Sequence, residues 1–212
     1  MKRLFVLLGL LVLAVGVYSF MPGKDKECPA EGKPNPKKGK DAVLKPREKN
    51  ANRHKNRQSV PQTGDYDKTV SIEKMYDSKD DSLWSEDKAA TIIGYFFRAV
   101  SNNMESCNCY TEDKSKYSTN IYLSPTQPDK NTRLADCIVV VAMPYSRTLS
   151  KGWSADTLND KMAGKKLIVS GWLMYDVLHS TGSIMTNSNG SQPERRTIWG
   201  ICPITALSVT DK

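Results

Sequence analysis

The stretch Gly164 to Asp176, GKKLIVSGWLMYD, narrows the fold more than any other part of the chain. Leu167, Val169 and Leu173 alternate with Ile168, Trp172 and Met174, so a strand here carries apolar side chains on both faces. A strand covered on both sides belongs to the middle of a barrel or sandwich, not to a solvent-facing hairpin. Gly171 interrupts it where a bend or a close backbone neighbour is needed.

The neighbouring segments extend that reading. Ala90 to Val100 (ATIIGYFFRAV) predicts a first long strand with a second glycine bend at Gly94. Asn120 to Leu123 predicts a short second strand, and Asp136 to Met143 (DCIVVVAM) a continuous, β-branched third. Ser154 is placed to cap a helix through Leu158 and Met162, with Gly164 just past its end. Arg196 to Val209 predicts the last strand, in which Pro203 marks an edge or a bulge. Before the first strand, Thr69 or Ser71 is placed to cap a short helix over Ile72 to Tyr76, although a strand fits there nearly as well. The sequence is therefore expected to be mainly β: a five-stranded OB-like Greek-key barrel with one helix between strands 3 and 4. A small β-sandwich is the alternative.

Charge divides the chain. Lys2 and Arg3 precede an apolar run from Leu4 that weakens toward Met21, the pattern of a signal peptide or membrane anchor over residues 1–21. Of the 31 basic residues, 12 lie between Lys24 and Arg57 against 5 acids, whereas 17 basic and 18 acidic residues follow Pro61. Residues 22–62, rich in proline and lysine, read as a basic disordered linker able to touch an anionic membrane surface or cell-wall polymer. Residues 63–212 read as the near-neutral barrel domain, which argues against nucleic acid as its partner and for a glycan or a protein. The expected location is outside the cytoplasm, in the envelope or secreted.

Export favours disulfides. Cys107, Cys109, Cys137 and Cys202 are the disulfide candidates, with at least one of the first two reaching Cys137 or Cys202 and Cys28 left over in the linker. Buried unpaired thiols are the other reading.

Several blocks taken together, Lys88 to Val100, Glu105 to Cys109 (ESCNC), Thr119 to Leu123, Gly164 to Asp176 and Ile198 to Thr205 (IWGICPIT), with Asn56 to Pro61 (NRQSVP) upstream, resemble a family of uncharacterised exported bacterial envelope proteins with an OB-like β-barrel domain. The resemblance implies fold and location, not an activity. Where that family shows histidines, this chain has Asn120 in the second strand and Cys202 before Pro203; His179 fits the family pattern.

The candidate sites follow from that frame. Tyr95, Phe97, Tyr110, Tyr122 and Tyr145, with Tyr117, are candidate stacking residues for a ligand on strands 2 and 3 and the loops after strands 1 and 4. The polar loop from Thr181 to Gln192 is a candidate recognition loop. Asp176, His179 and Arg195 would be the catalytic set of a nuclease-like hydrolase. Cys107, Cys109, Cys202 and His179 have zinc-type donor atoms, but the CxC spacing and an oxidising compartment disfavour a metal. No cofactor is expected. The expected function is a non-catalytic binding or interaction module.

Overall fold

The computed structural model describes residues 28–78, 82–150, 152–182 and 193–210. The leader over 1–21 and most of the 181–192 loop lie outside the described residues.

Chain order begins with two helices, α1 (Pro46–Lys55) and α2 (Ile72–Asp77). The strands β1 (Ala89–Ser101), β2 (Thr119–Ser124) and β3 (Ile138–Ala142) follow, then helix α3 (Ala155–Met162), β4 (Lys166–Tyr175) and β5 (Trp199–Val209). The strands close into a barrel in the order β1-β2-β3-β5-β4, with β4 returning to β1. All pairings are antiparallel except β3 with β5, where Val140 faces Ile201. The open choice before β1 resolves to helix α2, capped by Ser71 Oγ, which accepts from Lys74 N. Ser154 Oγ caps α3 by accepting from Thr157 N, and Gly164 follows that helix at φ +68°.

Two clusters of buried side chains explain the continuous apolar runs. Ile92, Phe96, Ile121, Leu123, Ile138, Val140, Leu167, Val169, Leu173 and Ile201 fill the barrel, sealed by Ile72 and Met75 of α2 and Leu158 of α3. The alternate residues Tyr122, Val139, Val141, Met174 and Cys202 form a second cluster on the outer wall, with Cys107 and Ala51. The run CIVVV is thus buried on both faces. What covers the outer wall is the segment the sequence presents as a linker.

That segment corrects the expectation of disorder. From Cys28 to Gln62 it lies along the barrel as a strap, carrying the 3₁₀ turn Pro36–Lys38 and helix α1. Three anchors hold it. Cys28 is disulfide-bonded to Cys109, with Cα atoms 5.7 Å apart. Asn52, buried in α1, donates to Glu31 O and accepts from Ser106 Oγ. Arg57 lies 4.4 Å over the Trp172 ring, whose Nε1 donates to Ser59 O at 2.7 Å. Specific polar partners, rather than an apolar stripe, offset the ordering entropy here.

Gly171 illustrates how tightly β4 and β5 meet. The register shifts on both sides of it, opposite the bulge that contains Pro203. A Cβ at Gly171 would stand 2.3 Å from Pro203 O and 2.7 Å from Ile201 Cγ2. Backbone cannot retreat as a side-chain tip does, so Gly171→Ala is expected to cost about 2–3 kcal/mol in urea denaturation. A cost under about 0.5 kcal/mol, the usual size for a surface change, would show that the bulge can open there.

Candidate functional site

The outer wall under the strap gathers the charged side chains that the barrel buries. Asp176 follows β4 on the same face as Met174 and is 5% exposed. Its Oδ2 lies 2.7 Å from His179 Nδ1, 3.3 Å from Arg195 Nη1 and 4.0 Å from Lys55 Nζ. The 3₁₀ segment Val177–Gly182 positions His179, whose backbone N–H donates to Asp176 O. Arg195, 5% exposed, arrives from the far end of the loop between β4 and β5. Lys55, at the C-terminus of α1 and also 5% exposed, completes the group, with Glu105 Oε2 at 4.0 Å on its other side.

Three groups in this cluster have unspent hydrogen-bonding capacity, among them His179 Nδ1, which lies 2.7 Å from Asp176 Oδ2 without the geometry of a hydrogen bond. Asp176 Oδ1 is buried and has no hydrogen-bond partner among the described residues. Lys55 Nζ has two carboxylate neighbours at 4.0 Å, both beyond hydrogen-bond reach. Burial opposes both charges, but each is outweighed. For Asp176, the raising effect of burial is overcome by Lys55, by His179 and by Arg195, which together hold the carboxyl well below the usual carboxylate range. For Lys55, the lowering effect of burial is overcome by Asp176 and Glu105, so the amine is held as an ammonium.

Beside Lys55 opens a cavity of about 230 Å³. Lys55, Asn56 and Gln58 of the strap line it, with Cys107, Asn108 and Lys116 from the loop after β1 and Tyr145 after β3.

The sequence candidates separate on this framework. Asp176, His179 and Arg195 do come together. The aromatic candidates do not form one platform. Tyr122 is buried in the outer-wall cluster and Phe97 packs against it. Tyr95 lies by Lys166, whose Nζ is 5.6 Å from its ring. Tyr110, at φ +53°, follows the disulfide, and Tyr117 accepts a bond from Arg147 through its carbonyl. Only Tyr145 among them lines the cavity. Asn120 accepts from Asn102 Nδ2 at 3.1 Å.

The cysteine expectations need correction. Cys109 pairs with Cys28, while Cys107, Cys137 and Cys202 are buried and unpaired. The reason lies in the 3₁₀ turn Ser106–Asn108, which buries Cys107 in the outer-wall cluster while Cys109, past its end at φ +58°, meets the strap. With Cys109 in the disulfide, the set Cys107, Cys109, Cys202 and His179 cannot act as four metal ligands, and no group of three metal-ligating side chains is found among the described residues. Burial pushes the Cys107 and Cys137 thiols up to about 12, and that of Cys202 higher than the usual thiol range. All three are expected to resist alkylation at pH 8 in the native protein and to react once it is unfolded in denaturant without reductant. Rapid native labelling of any one, read by intact mass, would place that thiol in an opened site.

Sequence reasoning missed Lys55, Asn52 and Glu105. Lys55 had a signal: Pro46 at the first helical position, Glu48 in the first turn and Arg53, His54 and Lys55 in the last match the charge and proline pattern of a helix. Comparison of the chain with family models, with curated proteins and with solved structures gives no match.

Proposed function

We propose that this chain is an exported, OB-like β-barrel that acts as a non-catalytic binding module, with its ligand site on the outer wall between the strap and the segments that follow β1 and β3. Support for the OB-like reading comes from the strand order, the parallel β3–β5 closure and a helix between β3 and β4. The cavity shares one feature with the usual ligand sites of that fold, the loop after β1, and adds the turn after β3 and the strap. The observation that carries the binding reading is Lys55: a buried ammonium beside a cavity, with no hydrogen bond to any described group. Export rests on the charged and apolar leader and on the family resemblance. The nearby thiols are held protonated and Lys55 is held charged, so none of them is a ready nucleophile. A glycan is the favoured ligand class, ahead of a protein partner.

Calorimetric titration of the full chain in detergent, with neutral and acidic oligosaccharides and with single-stranded oligonucleotides at two salt concentrations, tests this. Saccharide binding lost in Tyr145→Ala supports it; binding confined to oligonucleotides and falling steeply with salt overturns it.

The hydrolase reading is favoured by one observation, the 2.7 Å contact between Asp176 and His179. The contact lacks hydrogen-bond geometry, so it does not fix the imidazole as the carboxylate of a catalytic triad does. Arg195, moreover, is buried against Asp176 and is turned to that carboxylate rather than to a substrate. Turnover of any substrate in the panel that disappears in His179→Ala would establish this reading in place of the first.

A further inference from the structure

We infer that the cavity under the strap takes the acid group of a small carboxylate- or phosphate-bearing ligand, with Lys55 and Lys116 supplying the charge and Tyr145 and Pro144 the surface for the ligand's body. This rests on the binding reading above and names the class of ligand.

Charge makes the first argument. Both charged side chains on the cavity wall, Lys55 and Lys116, are cationic, and neither Asp nor Glu lines it. Glu105 and Asp176 stand on Lys55 at 4.0 Å, and Asp176 is already shared with Arg195. Two cations, Lys55 and Arg195, therefore balance two carboxylates, and the exposed Lys116 is the positive charge on the cavity wall that remains for a ligand to neutralise.

Hydrogen bonding makes the second. Lys55 is one of the few lysines a protein of this kind buries, and its N–H groups make no hydrogen bond to a described residue. Lys55 lines the cavity, so a ligand there can reach it, and an anionic oxygen accepts from an ammonium about twice as strongly as a neutral hydroxyl does. Asn56 and Asn108 on the same wall are polar and partly or wholly buried. Their amides are tied to the fold: Asn56 Nδ2 donates to Cys107 O and Asn108 Nδ2 to Asn103 O. The lysines and Gln58 are thus the groups left to meet the acid, and only the lysines carry charge.

Size and shape make the third. At about 230 Å³ the cavity is smaller than the roughly 300–1,000 Å³ usual for a drug-sized ligand, which suits a head group or a single sugar unit. Tyr145, 37% exposed, offers a ring face beside Pro144.

The test uses matched probes. Glucose, glucuronate, glucose 6-phosphate and inorganic phosphate are titrated into the full chain, into Lys116→Ala and into Lys55→Met, with thermal melts to show that each variant is folded. Glucuronate or glucose 6-phosphate is expected to bind at least tenfold tighter than glucose, the size of one charge-assisted hydrogen bond. Lys116→Ala, an exposed and safe change, is expected to weaken the acid probes about threefold to tenfold and leave glucose unaltered. The arms separate sources: tight inorganic phosphate alone identifies a phosphate group, and tight glucuronate identifies a uronate-like one. Equal affinity for glucose and both acids overturns the inference while leaving the binding module intact, because the cavity then reads hydroxyls. Failure of all four probes overturns it too, and if the wider oligosaccharide panel is also silent the binding reading falls with it. If Lys55→Met does not fold, the Lys116→Ala comparison decides.

Discussion

Asp176→Ala is expected to lower stability by about 3–5 kcal/mol, more than any other single substitution on the outer wall. The change leaves Lys55 and Arg195, each 5% exposed, without the carboxylate that both face. An uncompensated buried charge is what makes breaking such a pair expensive, even where the intact pair contributes little net. The double variant Asp176→Ala/Lys55→Met is expected to recover part of the loss, since it removes one stranded cation. A loss below about 1 kcal/mol for the single variant would mean that water reaches these charges as readily as it reaches a surface pair.

Titration supplies an independent check on the same carboxylate. In the folded protein Asp176 is held well below the usual carboxylate range, whereas in the unfolded chain it takes the ordinary value near ~3.9. As pH falls through that value the unfolded chain binds the proton first, so the stabilisation is complete above about pH 5 and is lost on further acidification. Denaturation midpoints in urea are expected to drop more steeply below pH 5 in the wild type than in Asp176→Asn. Parallel slopes would transfer the acid sensitivity to other depressed carboxyls, such as Asp136 beside Arg133.

Breaking the Cys28–Cys109 bond is expected to have the next largest effect. The bond joins residues 81 apart in sequence, and the chain-entropy estimate for closing a loop of that length is about 4 kcal/mol. Because the loop includes the strap, β1 and the turn at Cys107, the expected consequence of Cys109→Ser is twofold: a fall in the denaturation midpoint, and faster amide exchange across α1 than across β4. Uniform acceleration over strap and barrel alike would show that the two unfold as one unit. Unchanged exchange in α1 would show that Asn52, Lys55 and Arg57 hold the strap without help.

How legible this was in the sequence depended on where each segment finds its partners. The strands were readable because their burial is periodic: Leu167, Val169 and Leu173 point into the barrel, and Trp172 and Met174 are buried against the strap side. The cap at Ser154 and the glycine after α3 were readable because capping is local. Helix α1 carried a local proline and charge pattern, but its burial was not readable, since its buried residues are Ala51, Asn52 and Lys55 and their partners lie at Glu31, Ser106, Glu105 and Asp176. No window of neighbouring residues contains that information. The same holds for the cysteines, where Cys28 looked isolated only because the strap was read as solvent-borne. At the site, Asp176, His179 and Arg195 were identifiable from the strand end they flank, yet the lysine that balances them arrives from more than a hundred residues upstream.

The folding of the strap also resets the distance between the barrel and anything that holds its N-terminus. Read as a spacer, residues 22–62 would let the domain roam far from a membrane. With the chain fastened to the barrel at Cys28, the slack after Met21 shrinks to residues 22–27, which even fully extended cover no more than ~20 Å. Were the N-terminal segment held at a surface, Cys28 and the barrel wall it is bonded to would stay within about that distance of it.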